Sequence, residues 1–216
     1  MIRVCALDFD GVVLESVGVK LEAFHRLFAG HPNTPEIVGY LDANNGLDRY
    51  TKFRHIWTTM LGRAYGPEVE ARLDAEFSAM VLEAVLACPF VAGAEDFLRE
   101  AKLPLYVISA MPLRELKIIV EKRGLEARFR GLYGSPGGKT AQLREVIVRE
   151  KLTPDEIVFI GDSENDRKAA TETGVAFIGR RNAEKFAPPL PLLLPDLSGL
   201  SAAIAGLSAH PAPRMR

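Results

Sequence analysis

The sequence predicts an α/β fold: a Rossmann-like, three-layer parallel-sheet core carrying an inserted α-helical cap. Three observations carry this expectation. Four short apolar runs (Ile2–Leu7, Leu105–Ser109, Ile157–Ile160 and Val175–Ile178) have the length and β-branched content of buried parallel strands. Helical patterns alternate with the later runs, as in a doubly wound sheet. Between the first run and the second, residues 16–87 carry only helical periodicity.

The first run stops abruptly at "DFDG", where Asp8 and Asp10 flank Phe9 and Gly11 follows. The insertion then shows three stripes. Val17, Leu21, Phe24 and Phe28 form the first, ending at Gly30. Phe53, Ile56, Trp57, Met60 and Leu61 form the second, ending at Gly62, and they make Trp57 a cap-core residue. Val69, Leu73, Phe77, Met80, Val81 and Val85 form the third, opened by Pro67. The segments 31–35 and 88–90 read as breaks. Beyond them, Leu113–Arg123 lies between Pro112 and Gly124, a good start and stop pair. A short strand is expected at Leu132–Tyr133, then a helix over Thr140–Glu150. Thr153 and Glu156 stand at capping-box spacing. The expected division is 1–15 and 88–207 for the core, 16–87 for the cap, and a frayed tail over 208–216.

Composition narrows the class. A chain of 216 residues, 48% of them hydrophobic, suits one large domain or a core with one sizeable insertion. A formal net charge of -1 argues against general nucleic-acid binding, which needs a basic excess. Cys5 and Cys88 are far apart in apolar surroundings and read as buried thiols in a reducing compartment. No stretch approaches the roughly 18 apolar residues of a membrane span. The acidic pair arrives within eight residues, which leaves no room for a signal peptide. The expectation is a soluble, cytoplasmic protein, a monomer or a homodimer.

The unusual residues gather at one edge. Asp8 and Asp10 follow the first strand, Ser109 ends the second, and Asp162 follows the Ile157 run with Asp166 four residues on. Lys139 follows "YGSPGG". In a parallel sheet all of these fall at the carboxyl edge, where α/β folds bind ligands. Several carboxylates in one crevice need a cation, and hard oxygen ligands suit Mg²⁺. Ser109 and the amides at helix starts suit a phosphate. A metal, a lysine and amide donors around an anion describe a phosphoryl-transfer site. One Asp can act there as nucleophile and the second can protonate the leaving oxygen. The stretch "GSPGGKT" is not a P-loop, since the Gly that motif needs is Tyr133 and the loop does not follow the first strand.

The set "DFDGVV", Ser109, Lys139 and "GDSEND" resembles the four motifs of the haloacid dehalogenase superfamily, in that family's order, and the helical insert resembles the cap of its phosphoglycolate-phosphatase-like branch. The resemblance implies a Mg²⁺-dependent phosphatase acting on a small phosphorylated metabolite. It implies that Asp8 is nucleophile and metal ligand, and that Asp10 is the acid/base and binds metal through its carbonyl. Ser109 would bind phosphate, with Gly11 and the Ala110 amide in the same set. Lys139 would offset charge. Asp162 would be a metal ligand, with Asp166 supporting the metal or the lysine. Dehalogenases of the superfamily lack an acid at the position of Asp10, so the resemblance favours phosphate chemistry. From the cap, Arg49 and Lys52 are expected to reach an anionic substrate, with Arg54 and Lys20 near them; a solvated helix face is the competing reading. A phosphomutase with the same core residues, and a non-catalytic binding protein on the same fold, remain as alternatives.

Overall fold

The computed structural model describes residues 1–31, 33–182 and 186–209, with the backbone alone at 208 and 209. β1 (Val4–Leu7) lies inside a six-stranded sheet. β2 (Leu105–Pro112) and β3 (Gly131–Ser135) lie on one side of it. β4 (Ile157–Gly161), β5 (Ala176–Arg180) and β6 (Leu193–Leu194) lie on the other, in the order β3-β2-β1-β4-β5-β6, all parallel. The apolar runs follow from the layers. Val4 and Ala6 point to one face, against Leu143 and Val146 of α7 (Lys139–Glu150) and Ala169 and Ala170 of α8 (Glu164–Thr173). Cys5 and Leu7 point to the other, against α5 (Ala94–Glu100), α6 (Leu113–Lys122) and α9 (Leu200–Ala209). Both faces are dry, so no polar alternation survives in the sequence.

Between β1 and β2 the chain makes α1 (Val17–Leu27), α2 (Thr34–Ala43), α3 (Arg49–His55), a π-helical turn (Ile56–Met60) and α4 (Pro67–Ala87). The three apolar stripes meet in an aromatic cluster. Phe24 lies 4.2 Å from Phe77 and 5.8 Å from Phe53, ring centre to ring centre, and Phe28 lies 6.4 Å from Phe53. The two segments that join this insert to the core run side by side: Glu15 N–H donates to Pro89 O (3.0 Å) and Val91 N–H to Val13 O (3.0 Å).

The structure corrects several expectations. The break expected at 31–35 begins α2 at Thr34, with Pro35 in the first turn, where its missing N–H costs nothing. Trp57 is half-buried rather than cap core. Its indole N–H donates to Ala64 O, and the Arg63 and Arg72 guanidinium groups lie over its ring. β6, with two residues, is too short for any period to mark it. α9 continues through 208 and 209, where a frayed tail was expected; residues 210–216, with His210, and Pro32 lie outside the described residues. Cys5 and Cys88 are buried and free, as expected. The Thr153–Glu156 capping box is formed.

Candidate active site

The sheet order reverses direction between β1 and β4, and the crevice beyond their carboxyl ends is where α/β folds hold ligands. Asp8 N–H still donates to Ile160 O (2.9 Å), so the ladder holds the Asp8 backbone up to the rim. Gly11 has φ +73, and a Cβ there would lie 2.0 Å from Asp162 Oδ2. Only glycine lets the first loop lie against Asp162. The Gly11 N–H donates to Leu14 O (2.7 Å), which corrects the expectation that Gly11 itself binds phosphate: its donor is committed to the loop.

Lys139, the first residue of α7, is buried and donates to Asp8 Oδ2 (2.7 Å) and Asp166 Oδ1 (2.5 Å). Asp166 Oδ2 accepts from Ser163 Oγ (2.6 Å) and from the Asp162 and Ser163 amides, and Ser163 in turn caps α8. Asp166 therefore serves as helix-start acid and lysine partner at once. Asp162 accepts a hydrogen bond from the Asn182 side chain, just beyond β5. Ser109 Oγ accepts from the Met111 N–H (3.0 Å), which leaves its own proton to donate elsewhere. Ala110 and Gly46 line the crevice beside Asp8, Asp10, Lys139 and Asp162.

Burial and charge set the protonation. Burial pushes Asp8 up to about 7, with Asp166 and Asp10 adding to the rise and Lys139 opposing it. Burial also pushes Asp162 well above the usual carboxylate range, reinforced by Asp8 and Asp166. For Lys139 burial favours the neutral amine, but Asp166 and Asp8 outweigh it and raise its pKa, so the ammonium persists. Burial would raise Asp10 too; Lys20, in direct contact, and Ser16 Oγ (2.5 Å) overcome that and hold it below its ordinary value.

Three buried carboxylates thus meet one ammonium. Oxygens of Asp8, Asp162 and Asp166 lie within 4.8 Å of one another. An all-oxygen, buried donor set with more carboxylates than cations fits a hard divalent cation.

Over the crevice sits the cap. Asn165 Nδ2 donates to Gly46 O (2.8 Å), and a Cβ on Gly46 would lie 2.4 Å from Ser163 Oγ, so the turn before α3 docks directly on the start of α8. A second cavity of about 70 Å³ adjoins the first and shares Asp10, Val17, Asn45 and Ala110 with it. Lys20, Arg49 and Lys52 line it.

The solvated-face reading of these cap cations is overturned for Arg49 and Lys52, both of which are buried. The reach expected of Arg49 is corrected in part. Its guanidinium is held by Glu115 of the core in a two-pronged pair, by Asp74 (3.0 Å) and Ser78 (2.8 Å) of α4, and stands over the Phe77 ring. Lys52 Nζ donates to Asn45 O (3.0 Å) and lies over the Phe24 ring. Arg54 is mostly exposed, beside Tyr65 and Glu70, and lines neither cavity. Sequence reasoning missed Glu115, Asn45 and Asn182. Asn182 had a signal, its place just past a predicted strand; Glu115 looked like any first-turn acid.

The family profile of haloacid dehalogenase-like hydrolases matches residues 2–174, and the chain belongs to that family of hydrolases. Among curated relatives, the phosphoglycolate phosphatase of Pasteurella multocida is 22% identical over 206 residues, covering 90% of this chain and 92% of its own. That of Salmonella typhi is 24% identical over 226 residues, covering 91% and 88%. Among solved structures, a predicted phosphoglycolate phosphatase from Haemophilus somnus superposes with a TM-score of 0.75 at 15% identity, over 94% of this chain and 98% of that one. CbbY from Rhodobacter sphaeroides, in complex with phosphate, superposes with a TM-score of 0.74 at 19% identity, over 93% and 96%. These structures share its fold. Among the described residues no helix is long and apolar enough to cross a membrane.

Proposed function

We propose that the chain is a Mg²⁺-dependent phosphatase that hydrolyses a small phosphomonoester through an aspartyl-phosphate on Asp8, under a cap formed by residues 16–87. The observation that carries the reading is the buried excess of carboxylate around Lys139, with Asp8 at the crevice floor and Asp10 two residues on. Asp8, Asp162 and the Asp10 carbonyl would hold the metal, with Asp166 supporting it through Lys139. When bound, the metal supplies positive charge that keeps Asp8 ionised and offsets charge on the phosphoryl oxygens. An Asp8 oxygen attacks phosphorus and the bond to the leaving oxygen breaks. Asp10 gives its proton to that oxygen, then takes one back from the water that attacks the phosphorus and releases phosphate. In the structure Asp10 is held as a carboxylate by Lys20, so its acid role requires Lys20 to let go. Ser109 and the Ala110 amide would donate to the phosphoryl oxygens, and Lys139 would neutralise the charge that Asp8 shares with them. The docked cap shields the crevice from bulk water. The curated relatives named above, both phosphoglycolate phosphatases over nearly their whole length, support a substrate of that size.

The test is phosphate release from a panel of small phosphomonoesters, with Mg²⁺ or with EDTA, by the wild type and Asp8→Asn. Metal-dependent release, lowered about a thousand-fold or more by Asp8→Asn, is the expected outcome. Release that survives the substitution would remove Asp8 as nucleophile.

A further inference from the structure

We propose that Gln142 is a positioning residue for phosphoryl transfer. Its side-chain amide fixes the strand bulge that carries Ser109 and Ala110 against the helix that carries Lys139. The inference rests on the phosphatase reading above and adds a residue which that reading does not use.

Three observations meet at this residue. The first is a break in the sheet. β2 and β3 pair in regular parallel register as far as Ile108 and Tyr133, and pair again at Pro112 and Ser135. Between those pairs β2 advances from 108 to 112 while β3 advances only from 133 to 135, so Ser109, Ala110 and Met111 bulge out of the ladder. Gly134 makes room for the bulge, since a Cβ there would lie 2.6 Å from Met111 O. Bulges beside active sites re-aim the residues they carry, and this one brings Ala110 to the wall of the crevice.

The second observation is how the bulge is held. Within it, Met111 N–H donates to Ser109 Oγ (3.0 Å). From outside, Gln142 Nε2 donates to Ser109 O (3.3 Å), and both residues are buried. Gln142 stands three residues after Lys139 on α7, so the two side chains leave one face of that helix a turn apart. Lys139 takes the Asp8 carboxylate and Gln142 takes the bulge. A single helix face thereby sets the spacing between Asp8 and the groups that would receive the phosphoryl oxygens.

The third observation is cost. Gln142 Oε1 is buried and finds no partner among the described residues. A buried acceptor left unpaired is expensive, and a Leu or Met would fill similar space without that penalty. The amide is therefore a poor choice for packing alone. It suits the task of holding one carbonyl at the rim of a site, because only a donor can do that. Misplacing groups around a reacting centre by about 1 Å can cost about a hundred-fold in rate, and a bulge free to shift against α7 would permit such a displacement.

The experiment is a double-mutant cycle. It measures kcat and KM for p-nitrophenyl phosphate with Mg²⁺, and inhibition by inorganic phosphate, in the wild type, Gln142→Met, Ser109→Ala and the double variant. Gln142→Met should lower kcat about 10- to 100-fold and weaken inhibition by phosphate. In the Ser109→Ala background the same substitution should cost at least about three-fold less, because both changes act through the bulge. An equal loss in both backgrounds overturns the proposal and leaves Gln142 as a support for the fold. Unchanged kcat and phosphate inhibition in Gln142→Met overturn it too. Gln142→Asn keeps a neutral amide but draws it back by one carbon, so it breaks the same bond with a smaller change in the core and completes the cycle if the Met variant does not fold. Turnover by the wild type without coupling between positions 142 and 109 sinks this inference alone. No metal-dependent turnover of p-nitrophenyl phosphate or of any compound in the phosphomonoester panel sinks the phosphatase reading and this inference with it.

Discussion

On the core side of the crevice one cation, Lys139, bridges two carboxylates while a third, Asp162, stands beside them. On the cap side one cation, Arg49, is itself bridged by two acids, Glu115 and Asp74, with Ser78 adding a further contact. Both clusters are buried, and both join segments far apart in sequence. They differ in balance. The core cluster holds more carboxylates than its lysine can answer; burial raises Asp8 and Asp162, and the neighbouring carboxylates add to the rise. The cap cluster is answered on every side: Asp74 also meets Arg114, and Glu115 also accepts from Ser78 Oγ. An unbalanced buried cluster is a site that gains by binding a cation. A balanced one is a joint, here between α3 and α4 of the cap and α6 of the core.

The largest expected effect falls on the core cluster. Lys139→Met leaves Asp8 and Asp166 buried without their cation. Activity should fall about 100- to 1000-fold, and unfolding by denaturant should show a loss of about 3–5 kcal/mol. If stability falls while activity holds, Lys139 is structural and the core cluster is no site.

The cap joint should lose stability and keep its chemistry. Arg49→Met alone should cost about 3–5 kcal/mol, because Glu115 is left buried and unpaired. Adding Glu115→Leu should recover much of that loss, and a double-mutant cycle measures the coupling. If the double variant is as unstable as the single, the pair is not what joins cap to core.

The smallest effect is a dependence on pH that only the core cluster should show. Asp8 has its folded pKa raised to about 7, so the folded state keeps a proton that the unfolded chain, near the ordinary carboxylate value of 3.8, has lost. Stability of the metal-free protein from this group therefore falls as pH rises between those two values. A bound divalent cation reverses the penalty, so the rise in Tm on adding Mg²⁺ should be a few degrees larger at pH 8 than at pH 5.5. Asp8→Asn should remove most of that difference. An equal shift at both pH values would mean that the cation binds elsewhere.

The two clusters also differ in how far they could be read beforehand. Asp8, Ser109, Lys139, Asp162 and Asp166 were legible because each follows an apolar run at a place where a parallel sheet must deliver it to one edge. The strand runs were right to within a few residues, since both faces of the sheet are dry and nearly every position in them is apolar. Arg49 and Lys52 were visible only as basic residues near a glycine. Whether they faced water, substrate or a buried acid depended on Glu115, 66 residues away from Arg49, and on where the turn at Gly46 docks. Trp57 lies at the edge of the cap core rather than inside it, and the partners that hold it there, Ala64 O and the Arg63 and Arg72 guanidinium groups, leave no mark in the apolar stripe.

Local pattern in the chain was enough to establish the parallel sheet, the helical insertion and the acids at its carboxyl edge, because strand period and chain direction together dictate which edge a residue reaches. The charge balance of each cluster, the commitment of Arg49 to the joint and the placing of Lys20 between Asp10 and the second cavity were decided by tertiary packing. The reason is physical. A side chain's ionisation and partners depend on which distant groups share its low-dielectric surroundings, and no period in the sequence encodes that company.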